Sequence, residues 1–100
     1  MNNTQMIRPV AIVATSRTPF CRANTAYSDL TNMDMLSCAI QGMVEQNQLQ
    51  GKLIDEVVAG AVTTHSKDFN LAREAILSTD LSPLTPSITL QQACGTSLQA

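Results

Sequence analysis

The sequence predicts an α/β domain with a mixed, at least partly parallel sheet, and three observations carry that expectation. Short β-prone apolar runs occur at residues 10–14, 54–62 and 87–91. Between them lie two stretches whose apolar residues recur at helical spacing. Breakers such as Pro19, Gly51, Pro83 and Pro86 stand at the junctions. Strand, helix, strand, helix, strand in that order favours crossover connections, and crossovers join parallel strands.

The first run, Val10-Ala11-Ile12-Val13-Ala14, is apolar at every position and rich in β-branched residues, which predicts a strand buried on both faces of a sheet. A long loop should follow from Thr15 to about Asn32. In it Pro19 fixes its own φ and keeps Thr18 out of the helical region. From Met33 the residues Met33, Leu36, Ile40 and Met43, flanked by Ala39 and Val44, form one face of an amphipathic helix. Thr31 or Asn32 can cap its start, Asp34 suits the first turn, and Gly51 marks a break beyond its end.

The second run, 54–62, is apolar mainly in its second half, and Gly60 within it predicts close approach of another backbone. Asn70 can cap a second helix to about Thr79, with Leu71, Ala72, Ala75 and Ile76 facing inward. Residues 87–91 then form the third strand, and the chain turns at Ala93-Cys94-Gly95-Thr96 into the start of another helix. So short a helix cannot cover a sheet face, which predicts an unfinished domain.

Composition narrows the functional classes. A chain of 100 residues, 44% apolar and 14% charged, fits a soluble globular domain with a modest core. Six basic and eight acidic residues are scattered without a run, so nothing could track a phosphate backbone, and nucleic acid is excluded as a partner. One Tyr, two Phe and no Trp leave little for stacking bases. No stretch reaches the length of a transmembrane segment. The opening residues have neither the apolar core of a secretion signal nor the Arg/Ser-rich character of a transit peptide. Cys21, Cys38 and Cys94 are odd in number, widely spaced and without a Cys-x-x-Cys pair, which predicts reduced thiols in a cytoplasmic setting and no metal site.

Cys94 is the candidate catalytic residue. A thiol becomes a useful nucleophile when its thiolate is stabilised, and the unpaired amides at a helix amino terminus do this. Small neighbours, Ala93, Gly95, Thr96 and Ser97, would admit an acyl thioester, and the Cys94 amide could face a developing oxyanion. The competing reading is a buried structural cysteine acting as a small hydrophobe. Cys38, on the apolar helix, is predicted to be core; Cys21 lies in the long loop. His65, beside Ser and Lys, reads as a solvated loop residue. Arg17 and Arg22 read as loop-holding residues, with a coenzyme A phosphate as the alternative partner, and Arg73 reads as a surface or interface ion-pair partner.

Several segments in order resemble thiolases: Val10-Ala11-Ile12-Val13, Arg17-Thr18-Pro19-Phe20-Cys21-Arg22, Asp55-Glu56-Val57-Val58-Ala59-Gly60-Ala61-Val62, Asn70-Leu71-Ala72-Arg73-Glu74 and Ala93-Cys94-Gly95-Thr96-Ser97-Leu98-Gln99-Ala100. The resemblance implies a thiolase-like fold, with residues 1–100 as an incomplete amino-terminal domain, the first part of its βαβαβ half, ending just after the nucleophile Cys94. Cys-x-Thr-Ser is similar to the β subunits of fatty-acid oxidation complexes, although Gln91 stands where many members carry Asn and Cys21 where many carry Gly. The implied reaction is cleavage of 3-ketoacyl-CoA by coenzyme A through an acyl-cysteine, as in fatty-acid β-oxidation, with no metal or organic cofactor and coenzyme A as a substrate. The activating histidine and a second acid/base cysteine come from later segments in that family. A homodimer or homotetramer is implied, with a hydratase/dehydrogenase subunit as a further partner. The alternatives are a biosynthetic acetyl-CoA acetyltransferase forming acetoacetyl-CoA, a condensing ketosynthase, and a non-catalytic fragment.

Overall fold

The structure is a computed structural model that describes residues 7–100. In chain order it contains α1 (Asn32–Gln46), β1 (Val57–Gly60), a 3-10 turn (Ser66–Asp68), α2 (Leu71–Leu77), β2 (Ser87–Leu90), a second 3-10 turn (Ala93–Gly95) and α3 (Thr96–Gln99). β1 and β2 pair in parallel, Val57 opposite Ser87 and Gly60 opposite Leu90, so the chain between them is a β-α-β crossover through α2.

α1 begins where its local chemistry says it should. The Thr31 hydroxyl accepts from the Asp34 amide at 3.1 Å, and the Asp34 carboxylate accepts from the Thr31 amide at 2.9 Å, a reciprocal capping box. The helix ends at Gln46, before Gly51, which has φ 71° in the following turn. α2 is anchored differently. Asn70 precedes it but makes no side-chain cap; the Thr89 hydroxyl of β2 accepts from the Ala72 amide at 2.9 Å and donates to Asn70 Oδ1 at 2.7 Å. The first turn of α2 is therefore satisfied by the strand it lies on.

Leu71, Ala72, Ala75 and Ile76 of α2 are buried, as the apolar spacing predicts. α2 touches both strands and α1. Val44, Ile76 and Leu81 form the centre of the core, with Ile40, Leu49, Ile54 and Val57 around it. Gln41 joins α1 to the turn after α2, donating to the Asp80 carboxylate at 2.7 Å and accepting from the Asp80 amide at 2.9 Å. Arg73 is half-buried and donates to the carbonyls of Thr85 and Pro83, so it braces the approach to β2.

Two expectations are corrected. Residues 10–14 form no strand: they pair with no other segment among the described residues, and Val10, Ile12 and Val13 are 85–90% exposed. An apolar run states what a segment could bury, but a strand exists only where a neighbouring backbone takes up its hydrogen bonds. The sheet of the described residues is two-stranded and parallel, in keeping with the expected α/β class. Cys38 is exposed, not core, because α1 buries its Ile40–Val44 side. The long loop does lie where predicted, with Ser16 against α1 at Gly42. Among the described residues no helix is long and apolar enough to cross a membrane.

Candidate active site

Parallel strands place their carboxyl ends together, and loops leaving that edge are where α/β folds build sites. Here β1 leaves at Gly60 toward Val62 and Thr63, and β2 leaves at Leu90 toward Cys94. The Gln91 carboxamide donates to the Val62 carbonyl at 2.8 Å, tying the two exits to each other. Asn32, the first residue of α1, donates to the Thr63 carbonyl at 2.9 Å, so the start of α1 belongs to the same edge. An open depression of about 410 Å³ lies beside it, with Thr64, Phe69 and Asn70 on one side and Thr89, Leu90 and Gln91 on the other.

The turn that carries Cys94 is tightly determined. Ala93 has φ 46°, the left-handed region that residues with a Cβ adopt at a cost of about 1–2 kcal/mol. Three hydrogen bonds flank it. The Thr96 hydroxyl accepts from the Gln92 amide at 2.8 Å and donates to the Ala93 carbonyl at 2.7 Å, and the Ala93 amide donates to Gln91 Oε1 at 3.2 Å. The Gly95 amide closes the turn onto the Gln92 carbonyl at 2.9 Å. Thr96 itself is buried at 3% exposure, and its methyl group lies over Gly60. A Cβ at Gly60 would stand 2.1 Å from the Leu90 carbonyl oxygen and 2.7 Å from that methyl, which is the close backbone approach the glycine predicted.

Cys94 is the middle residue of this turn, between β2 and α3, and it is exposed. Cys21 and Cys38 are exposed free thiols too, and neither is joined to the turn by a hydrogen bond among the described residues. His65 caps the first 3-10 turn, its Nδ1 accepting from the Lys67 amide at 3.1 Å. Arg17 lies over the Phe20 ring, 5.4 Å from its centroid, and Tyr27 donates to the Pro19 carbonyl at 2.6 Å, so both hold the long loop. Burial raises the Tyr27 phenol above its ordinary range, and the neighbouring Cys21 raises it further. Sequence reasoning did not assign roles to Gln91 and Thr96 in this turn. Thr96 follows Ala93 at a spacing that suits a side chain bonding back to the backbone, which is a weak signal by itself.

Residues 10–100 match the family described as "Thiolase, N-terminal domain". The chain belongs to the thiolase family. Among its curated relatives, a 3-ketoacyl-CoA thiolase of Vibrio cholerae serotype O1 is 38% identical over 91 residues, covering 91% of this chain and 21% of that protein. A 3-ketoacyl-CoA thiolase of Aeromonas salmonicida is 35% identical over 91 residues, covering 91% of this chain and 21% of that protein. The mitochondrial trifunctional enzyme subunit beta of Bos taurus is 35% identical over 94 residues, covering 94% of this chain and 20% of that protein. The thiolase segment thus spans about a fifth of the length of these relatives.

Proposed function

We propose that residues 1–100 are the amino-terminal part of a longer thiolase that cleaves 3-ketoacyl-CoA with coenzyme A, and that Cys94 carries the acyl group. The observation that supports it most is the placement of Cys94: an exposed thiol, on a strained turn, at the carboxyl edge of parallel strands. The relatives named 3-ketoacyl-CoA thiolase supply the substrate class.

The chemistry follows from a thiolate in that position. Its sulfur bonds to the 3-keto carbon, the C2–C3 bond breaks, and the electron pair leaves on the acetyl-CoA carbon, which takes up a proton. The shortened acyl chain remains as a thioester on Cys94. The thiolate of a free coenzyme A then bonds to that acyl carbon, and Cys94 departs as thiolate, restoring the enzyme. The proton-transfer groups come from outside residues 1–100 in this reading, since the lone histidine, His65, is engaged as a turn cap.

Coenzyme A is thus a substrate, and neither metal nor organic cofactor is needed. The name of the bovine relative, a subunit of a trifunctional enzyme, supports assembly with other subunits, and we include in the proposal a homodimer or homotetramer with a hydratase/dehydrogenase partner. The three free thiols support a cytoplasmic location.

The test is peptide mapping by mass spectrometry after the longer chain meets 3-ketoacyl-CoA without free coenzyme A, with the 100 residues alone as the inactive control. The acyl adduct is expected on Cys94, and Cys94→Ala should lower kcat about a thousandfold or more. An adduct on Cys21 or Cys38 instead, or a fully active Cys94→Ala enzyme, would refute the assignment.

A further inference from the structure

We infer that Gln91 is a positioning residue whose carboxamide holds Ala93 in the left-handed conformation that turns Cys94 outward. The inference rests on Cys94 being the nucleophile and adds to that reading the residue that presents it.

One side chain here makes two bonds of different kinds. Oε1 accepts from the Ala93 amide at 3.2 Å, and Nε2 donates to the Val62 carbonyl at 2.8 Å. The first bond acts directly on the residue with φ 46°. The second ties that residue to Val62, two residues beyond the end of β1, in the chain leaving the paired strand. A left-handed residue with a Cβ persists only where its surroundings over-determine it. Thr96 supplies the other restraints on the turn, but it is buried and packs on Gly60, so its loss would disturb the strands as well. Gln91 is exposed, and its removal leaves no cavity. A loss of rate at position 91 therefore reads the placement of Cys94 and not the stability of the domain.

The carboxamide also has to be the length it is. An asparagine two residues before Ala93 could still accept from the Ala93 amide, the local pattern of an Asx turn, but one methylene less withdraws it from Val62. Gln91→Asn thus separates the two bonds, and Gln91→Leu removes both. Ala93→Gly addresses the turn from the other side, since glycine enters the left-handed region without a clamp.

The experiment is a double-mutant cycle in the longer chain, following kcat, KM and the rate of Cys94 acylation for wild type, Gln91→Leu, Ala93→Gly and the pair. Gln91→Leu alone should lower kcat and the acylation rate about ten- to a hundredfold, the effect expected of a misplaced reacting group, with KM and melting temperature near wild type. In the Ala93→Gly background the same change should cost less than about threefold, because the two substitutions act on one conformation. Should Gln91→Leu fail to fold, Gln91→Asn carries the comparison, with a smaller loss where Ala93 is retained and none once Ala93→Gly has relieved the strain. If wild-type Cys94 acylates normally and the position-91 variant does so equally well, or loses the same factor in both backgrounds, the clamp is overturned while the nucleophile stands. If wild-type Cys94 takes up no acyl group, the nucleophile assignment falls and the clamp falls with it.

Discussion

Gly60 shows how one missing atom decides the geometry around Cys94. The Leu90 carbonyl that a Cβ at residue 60 would strike is backbone of the paired strand, so it cannot swing aside as a side chain could. Gly60→Ala should therefore push β1 from β2 and displace Thr96, whose hydroxyl holds both sides of Ala93. The expected loss is about 1–3 kcal/mol in a denaturant titration, the range for overpacking a well-filled site. Faster or slower alkylation of Cys94 relative to Cys21 and Cys38, all three being exposed, would report the displaced turn in the same protein. A change under about 0.5 kcal/mol with unchanged alkylation would show that the two backbones do not approach so closely. This residue was legible in the sequence, because a glycine inside an apolar strand has few other uses. Ala93 was not, since nothing in an alanine announces a positive φ; the conformation is imposed by Gln91 and Thr96 from outside it.

Among elements, α1 and α2 differ in where their starting signals reside. The capping box of α1 is local: Thr31 and Asp34 serve each other within one turn, and the sequence offered that start directly. α2 takes its cap from Thr89, which is distant in sequence and adjacent only after β2 is laid against the helix, so Asn70 suggested a cap that the fold does not use. The α1 box also makes a pH-dependent contribution. The Thr31 backbone amide, then the Thr31 hydroxyl, hold the Asp34 carboxyl below its usual range, with Lys67 adding to the effect and partial desolvation opposing it. A carboxyl depressed in the folded state stabilises above its unfolded pKa, about 3.9, and that contribution disappears as pH falls through the lower folded value. Thr31→Ala should cost about 1 kcal/mol at neutral pH, the usual worth of such a cap. Asp34→Asn should flatten the fall in stability below about pH 4, and identical slopes for wild type and variant in acid denaturation would remove Asp34 as its source.

At the scale of the molecule, the division between covered and uncovered apolar surface sets what holds firmly. Val57 packs against the core and Ala59 is buried, whereas on the opposite face Thr96 lies over Gly60 and Ile88 remains 46% exposed. Val10, Ile12, Val13 and Phe20 are exposed by 85–95%, so the apolar arm before α1 contributes almost nothing to burial in this arrangement. That explains why residues 10–14 misled as a strand: the composition of the run records surface to be buried, while pairing depends on a partner that local sequence does not name. The consequence is measurable by native-state hydrogen exchange on the 100-residue chain. Amides of α2 and of the β1–β2 ladder should be the best protected, because their hydrogen bonds are covered by Ile76, Val44 and Leu81, and those of residues 10–14 should exchange at rates near an unstructured peptide. Protection of residues 10–14 equal to that of β1 would mean that the arm pairs in solution after all, and that the apolar run alone was a sufficient guide to the third strand.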